Sequence, residues 1–450
     1  MESPKFSGLI EKVFSDNDKY SFYYDGKTLN LNLLDYNGSL VGTSFRKEYL
    51  SANFTLGGTI GLFNNYCRNN VFNHSAIIVP AQIFIPNQFG YNTKFNRLLF
   101  KGKIVNQLFP PIQKLKYDSS KEFYNFYDGS KKIELKSFEE TDVRFNTLIA
   151  GENYECIFGV YLPGSITSKS NNLGELTSYF SISSKNEKEI KDILPLYNFV
   201  RKIFQFLMKQ MDIYFDEIEV SLVNEDGKFE KVGSFIDNAG KESDLKITYN
   251  ISSLLNNIGT LFSKICENEL NYNYIAKDNT EAKYITPESY IKVCGAFEHN
   301  YEIVFKGLNN KDIFKKNTIE LIANLLDNDR KTNNRSAKYV KYYDHIIEIL
   351  NHDLNSVATQ YCRCLKKYKK ALDGYIKQLK ERYPLKNENC LGSEFASFRN
   401  NDAHGGLIEF TDESVCAFLC GLVLIECMIL DISGYSMSEI ETIITDRYCM

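Results

Sequence analysis

The densest chemistry in the chain stands late, in Phe398-Arg399-Asn400-Asn401-Asp402-Ala403-His404-Gly405-Gly406. A histidine titrates near neutrality and can pass a proton to or from a hydroxyl. An arginine is always charged and grips phosphate in a two-pronged fork, stabilising the charge that builds as a phosphodiester is displaced. Asn400 can orient either group or bind the phosphate. Together they suit cleavage of RNA, whose own 2′-hydroxyl is the nucleophile, so that no metal is needed and DNA is spared. A short helix beginning near Ser393 puts Asn400 and His404, four apart, on one face. Arg399 and His404, five apart, stand roughly 140° around an ideal helix. Their convergence requires a distortion at Gly405-Gly406 or a facing copy from a second subunit. In a chain with five histidines, such an arginine-to-histidine step arises by chance on the order of once in ten sequences. The asparagine after the arginine makes chance several-fold rarer, and spacing alone leaves function and accident at about even odds.

A second cluster is Arg363, Lys366, Lys367, Lys369 and Lys370. Such a run is usually a solvated helix face. In a ribonuclease, Arg363, Lys366, Lys367 and Lys370 would grip the RNA backbone, with Tyr368 and Tyr375 nearby for stacking. His299 sits beside Glu298, where a satisfied structural pair is the first expectation, although an acidic residue here could tune an active site. Asp402 is either a helix-end residue or a partner of Arg399. His345 and His352 read as surface or core polar residues, and His74 has no visible partner. The cysteines lack zinc spacing: Cys362 and Cys364 are two apart, and Cys416 and Cys420 share a helix face with no histidine at a suitable offset. No metal or other cofactor is expected.

The elements that must position these residues change character along the chain. Up to about residue 185 the pattern is strands and turns. Leu29, Leu31 and Leu33 alternate with Asn30 and Asn32, the period of a half-buried strand, between turn signals at Asp25-Gly26 and Asn37-Gly38. Further strand candidates are 54–63, 76–85, 98–105 and 153–162, and Asp128-Gly129 suggests a hairpin joining 123–127 to 131–136. This module, 1–185, reads as a β-sandwich or distorted barrel. Residues 186–285 are mixed, with a helical pattern over 187–211, an alternating stretch over 213–222 and a second helix over 252–266; they read as an extension of the module or a separate linker domain. From 286 to 450 the chain is helical. Thr286 caps a helix with Pro287 first. Asn317 and Glu320 have the form of a capping box, as do Ser436 and Glu439. Thr411 opens a helix that Gly434 closes. The longest predicted helix, 337–383, carries one stripe from Leu350 through Tyr361, Tyr368 and Leu372 to Leu379. The expected fold class is α+β, a β-rich N-terminal module followed by a bundle of about five or six helices.

Composition narrows the setting. With 450 residues the chain favours two or three domains, and a formal net charge of -4 means that any nucleic-acid surface must be local. The N-terminal stretch has no basic start followed by an apolar core. Residues 415–430 are short of a membrane span and carry Glu426, which favours a buried helix. Eleven cysteines read as reduced thiols. A cytoplasmic protein without membrane contact is expected.

Arg399, Asn400 and His404, placed before a final pair of helices, form an R-N-x-x-x-H motif that resembles the signature of HEPN ribonucleases. Residues 287–450 resemble that domain over nearly its whole length. Gly295-Ala296-Phe297-Glu298 with His299-Asn300-Tyr301 resembles the early-helix segment of such domains in ApeA-like proteins, and 422–448 is similar to their closing helices. ApeA-like proteins carry a β-rich N-terminal module, which the first half matches, notably at Gly57-Gly58-Thr59-Ile60-Gly61-Leu62-Phe63. The resemblance implies antiphage defence by abortive infection: an infection-triggered nuclease cleaves host RNA, with tRNA the expected target. It also implies a homodimer whose two motifs face each other across a composite site, and a phage-derived trigger acting at the N-terminal module. Two alternatives stand beside it. One is a non-catalytic HEPN protein that binds RNA or a nucleotide, or neutralises a toxin. The other is a ligand-binding β module with a helical dimerisation tail.

Overall fold

The computed structural model describes residues 5–14, 18–35, 44–54, 58–70, 75–87, 94–111, 115–117, 133–135, 142–161, 176–224, 227–238, 251–278, 281–306, 310–333, 336–383, 390–403 and 410–448. The chain forms two compact units, Met1–Ile251 and Ser252–Met450. The mixed stretch 186–285 is thus divided between the two units.

Six strands open the first unit: β1 (Phe6–Glu11), β2 (Lys19–Tyr24), β3 (Leu29–Asp35), β4 (Ser44–Phe54), β5 (Thr59–Asn70) and β6 (Ser75–Pro86). They close into a barrel in the order β6-β3-β2-β1-β4-β5, because β5 pairs back onto β6. Alternation drives closure. Phe6 and Ile10 of β1, Tyr20, Phe22 and Tyr24 of β2, Leu29 and Leu31 of β3, and Ile60 and Leu62 of β5 share one buried cluster, each side chain contributing about 1.5–3 kcal/mol. Gly8 is required where β1 meets β4, since a Cβ there would lie 2.1 Å from the Asn53 carbonyl oxygen.

On the side away from β5, strand β6 serves two neighbours: its first part pairs with β3, while Gln82–Pro86 pairs with β14 (Phe229–Asp237). From there the sheet continues through β13 (Glu217–Val223), β7 (Lys94–Lys101), β12 (Thr177–Glu189), β11 (Glu152–Tyr161) and β10 (Val143–Ile149). A two-stranded ribbon pairs β8 (Leu115–Tyr117) with β9 (Ile133–Leu135). Helix α1 (Lys103–Leu108) follows β7, and α2 (Ile193–Met208) packs Phe204 against Phe180 and Phe215, and Tyr197 against Phe235.

Several strand boundaries differ from the sequence reading. The candidate 54–63 is a hairpin, with β4 ending at Phe54, Gly58 at φ 98° and β5 starting at Thr59. The candidate 98–105 ends at Lys101, because Gly102 turns the chain at φ 139° into α1. Residues 187–189 complete β12, so the helix starts only at Ile193. Ile133–Leu135 pairs with Leu115–Tyr117; residues 123–127, Asn37-Gly38 and His74 lie outside the described residues.

The second unit contains α3 (Ile258–Cys266), α4 (Pro287–Val304), α5 (Asn310–Thr332), α6 (Ala337–Asn355), α7 (Val357–Lys367), α8 (Lys369–Arg382), α9 (Leu391–Ala403), α10 (Asp412–Ile432) and α11 (Met437–Tyr448). The caps at Thr286, Thr411 and Ser436 form as read: Thr286 and Thr411 each accept from the third helical residue, and Ser436 exchanges hydrogen bonds with Glu439. Asn317 starts nothing, since α5 runs straight through it. The single long helix is instead three. Ser356 takes an extended conformation (ψ 143°) and its hydroxyl caps Thr359 N–H at 3.2 Å. Tyr368 breaks the next turn, its hydroxyl donating to Asp431 at 2.6 Å. The apolar stripe keeps its phase across the Tyr368 break, so Tyr361, Leu372, Ile376 and Leu379 are buried as expected while the helix count rises.

Helix α10 is the centre of the bundle. It is long and apolar enough to cross a membrane, and 72% of its most apolar stretch is buried within the unit. Glu426 within it is buried and meets Arg447 at 3.0 Å and the Tyr448 hydroxyl at 2.5 Å, which fastens α11.

Candidate active site

Helix α9 carries the Arg399 motif, and its place is set by a missing side chain and three rings. A Cβ on Gly392 would lie 2.7 Å from the Ala358 carbonyl oxygen and 2.8 Å from the Cys362 sulfur, so glycine lets α9 lie against α7. One turn on, Phe395 meets Tyr361 at 4.8 Å and Phe297 at 5.4 Å between ring centroids. Gly421 of α10 makes room for it, since a Cβ there would come 2.8 Å from the ring. Phe398 then stacks on Tyr290 of α4 at 3.8 Å and 18°. Leu391, Phe395 and Phe398, spaced four and three, are all buried. The next residue, Arg399, therefore turns out of the core at the flank of a rigid stripe.

There Arg399 meets Glu298 of α4. Nη2 donates to Oε2 at 3.1 Å, and Nε stands 2.7 Å from Oε1 in an ion-pair contact off the hydrogen-bond line. The arginine side chain is 45% exposed and the carboxylate 29%. This side-on grip uses Nε and one proton of Nη2. The end of the guanidinium, both protons of Nη1 and the second of Nη2, has no partner among the described residues. An arginine end left open in this way has the geometry of a fork that can receive a phosphate bidentately. Burial, opposed by the attraction of Arg399, leaves the Glu298 carboxyl above its usual value. One turn earlier on α4, burial pushes the Cys294 thiol up to about 12, which removes it as a nucleophile.

The expected Glu298–His299 pair does not form. Adjacent helical residues face apart; His299 Nε2 lies 3.1 Å from the Glu269 carbonyl oxygen, and Glu298 serves Arg399 instead. Asn300 is fully buried and clasps the backbone of Asn271, donating to its carbonyl at 2.9 Å. Arg399 and Glu298 are 101 residues apart, and nothing periodic in the sequence couples them.

The other motif residues are placed less fully. Asn400 continues α9, and its side chain lies outside the described residues, as does that of Asp402. His404 and the Gly405-Gly406 pair lie outside the described residues, directly after the last turn of α9. Of the basic run, Arg363 donates to the Tyr301 hydroxyl at 3.0 Å, and Lys367 pairs with Asp431 at 2.6 Å beneath the Phe305 ring. Both are built into the bundle. Lys366 and Lys370 are exposed, on either side of the Tyr368 break, with no carboxylate partner among the described residues. Among the described residues no three His, Cys, Asp or Glu side chains gather closely enough to hold a metal ion.

No protein-family model, curated protein or solved structure matches the chain.

Proposed function

We propose that the chain is an endoribonuclease of the HEPN type, acting on RNA, with tRNA the first substrate to test. The observation that carries the reading is Arg399 itself: a half-exposed guanidinium, held side-on by Glu298 with its outer end unpartnered among the described residues, at the close of the helix that leads into His404. Its chemistry is transesterification. The 2′-hydroxyl loses its proton and attacks the adjacent phosphorus; the bond to the 5′-oxygen breaks, and that oxygen takes up a proton. The ends are a 2′,3′-cyclic phosphate and a 5′-hydroxyl. His404 moves the proton as general acid or base, Arg399 stabilises the charge on the phosphorane-like oxygens, and Asn400 positions the phosphate. Lys366 and Lys370 would extend the grip along the backbone, with Arg363 and Lys367 serving the fold. The nucleophile belongs to the substrate, so the step calls for no metal. A homodimer that apposes two motifs, cytoplasmic location, a trigger acting on the β unit and a role in antiphage abortive infection complete the proposal, on the resemblance alone.

The test is an RNA oligonucleotide carrying one known cleavage position beside the same strand with a single 2′-deoxy residue there. Loss of cutting at that position alone supports the reading, and equal cutting of both strands overturns it. The Arg399–Glu298 pair also favours a second reading, a non-catalytic RNA- or nucleotide-binding protein in which the pair is structural. Product formation separates the two.

A further inference from the structure

The barrel carries a hollow of about 790 Å³ over β4, β5 and β6, within the range of roughly 300–1,000 Å³ typical of small-ligand sites. An interruption in the sheet forms its floor. Lys47 pairs with Asn65 and Tyr49 with Phe63, while Phe63 pairs with Gln82 and Asn65 with Pro80. Glu48, Asn64 and Ala81 therefore drop out of both ladders without a shift of register, and all three line the hollow. Asn64 adopts a left-handed φ of 49°, a conformation asparagine tolerates better than most residues. A polar chain running from exposed Asn64 into the interior holds it there: Asn64 Nδ2 donates to Gln82 Oε1 at 3.0 Å, Gln82 Nε2 to Asp237 Oδ1 at 3.2 Å, and the Tyr197 hydroxyl to Asp237 Oδ2. The floor is thus preformed.

Its wall holds two sets of groups. Arg46 and Lys27 are exposed cations with no carboxylate partner among the described residues, whereas Lys47 is tied to the Lys12 and Val13 carbonyls. Tyr66 stands beside them with an exposed ring. Asn64 commits one of its two amide N–H groups to Gln82, and Asn238 donates to the Pro80 carbonyl and the Tyr24 hydroxyl. Each leaves its Oδ1 as an acceptor, next to the Glu48 carboxylate. Strand β5 is paired on both sides here, whereas β4 meets β1 only over Ala52–Phe54 and β6 has no ladder partner opposite β5 over Val79–Ala81, where Asn238 takes the Pro80 and Ala81 carbonyls.

We propose that this hollow binds a nucleotide, free or within an RNA strand. Arg46 and Lys27 take the phosphate, Tyr66 stacks on the base, and the Asn64 and Asn238 oxygens accept from an exocyclic amino group. Uracil, which presents carbonyls instead, is disfavoured. This site is independent of the ribonuclease reading.

The test is calorimetric titration of the full chain with AMP, UMP, adenosine, inorganic phosphate and hexa-adenylate. AMP should bind, with UMP, adenosine and phosphate each weaker. Arg46→Ala and Tyr66→Ala should each weaken AMP about tenfold, while Tyr66→Phe, which keeps the ring, stays within about twofold. Hexa-adenylate tighter than AMP, and dependent on Arg46, identifies the strand as the source; AMP as tight or tighter identifies the free nucleotide. If neither binds at millimolar concentration, or both bind wild type and Arg46→Ala equally, the proposal is overturned. Should Tyr66→Ala unfold the barrel, Arg46→Ala, a change at an exposed side chain, decides alone.

Discussion

Replacing Glu298 by alanine should slow RNA cleavage about tenfold while hardly changing stability. Two opposed quantities lead there. At the observed separations the gross attraction of the pair is on the order of 5 kcal/mol at an effective dielectric of about 20. Burial takes that back, since the carboxyl sits above its usual 4.5 despite the adjacent guanidinium. With Arg399 nearly half exposed, the net contribution to folding falls to about 0–1 kcal/mol, a change in Tm of no more than roughly 2–4 °C. Positioning is a separate matter. An arginine released from its side-on grip regains part of about 2 kcal/mol of rotamer entropy, which must be lost again at the transition state. A penalty of about 1.4 kcal/mol there is tenfold in rate. The assay is single-turnover cleavage of a labelled RNA by wild type, Glu298→Ala and Glu298→Gln, with thermal melts alongside. Glutamine keeps one acceptor and should fall between the other two. Glu298→Ala cleaving as fast as wild type, or faster, would refute the positioning role and make the carboxylate a competitor of the phosphate.

Other expectations follow from neighbouring features. Because burial raises the Glu298 carboxyl, the stability it contributes is full below the ordinary carboxylate value and lost as pH rises through the raised one; Glu298→Gln should therefore look progressively less damaging from pH 4 to 7 in paired melts. Asp25, held at about 2 mainly by the Thr28 and Lys27 amides, stabilises the barrel turn above its ordinary 3.8, and Asp25→Ala should lower the melting temperature at neutral pH but not near pH 2. Glu426→Ala removes the buried carboxylate that Arg447 meets and should cost about 3–5 kcal/mol, whereas Glu426→Leu with Arg447→Met should cost less than either single change in denaturant titrations. Additive costs would contradict that coupling.

Local signals in the sequence survived best. Leu29 and Leu31 point inward because strand alternation is a property of adjacent residues, and Thr286, Thr411 and Ser436 cap helices because a cap needs only the next turn. The break at Tyr368 was hidden by a stripe that keeps its phase through it, and the one at Ser356 by apolar spacing that runs on in the sequence. Closure of the barrel by β5 onto β6 and the docking of β7 between β12 and β13 depend on partners far along the chain, such as Lys101 with Tyr179 and Glu217, and no spacing announces them. The same holds at the site. The motif around Arg399 is local, but the carboxylate that Arg399 meets, Glu298, comes from another helix, and the tertiary ties of Arg363 and Lys367 could not be told from a solvated basic face.

The most direct test of the ribonuclease reading incubates purified wild-type and His404→Ala protein with total tRNA in EDTA and maps the new ends. Cyclic-phosphate and 5′-hydroxyl ends made by wild type and absent with His404→Ala are the result the account requires. Equal cleavage by both proteins, or ends of any other kind, would contradict it.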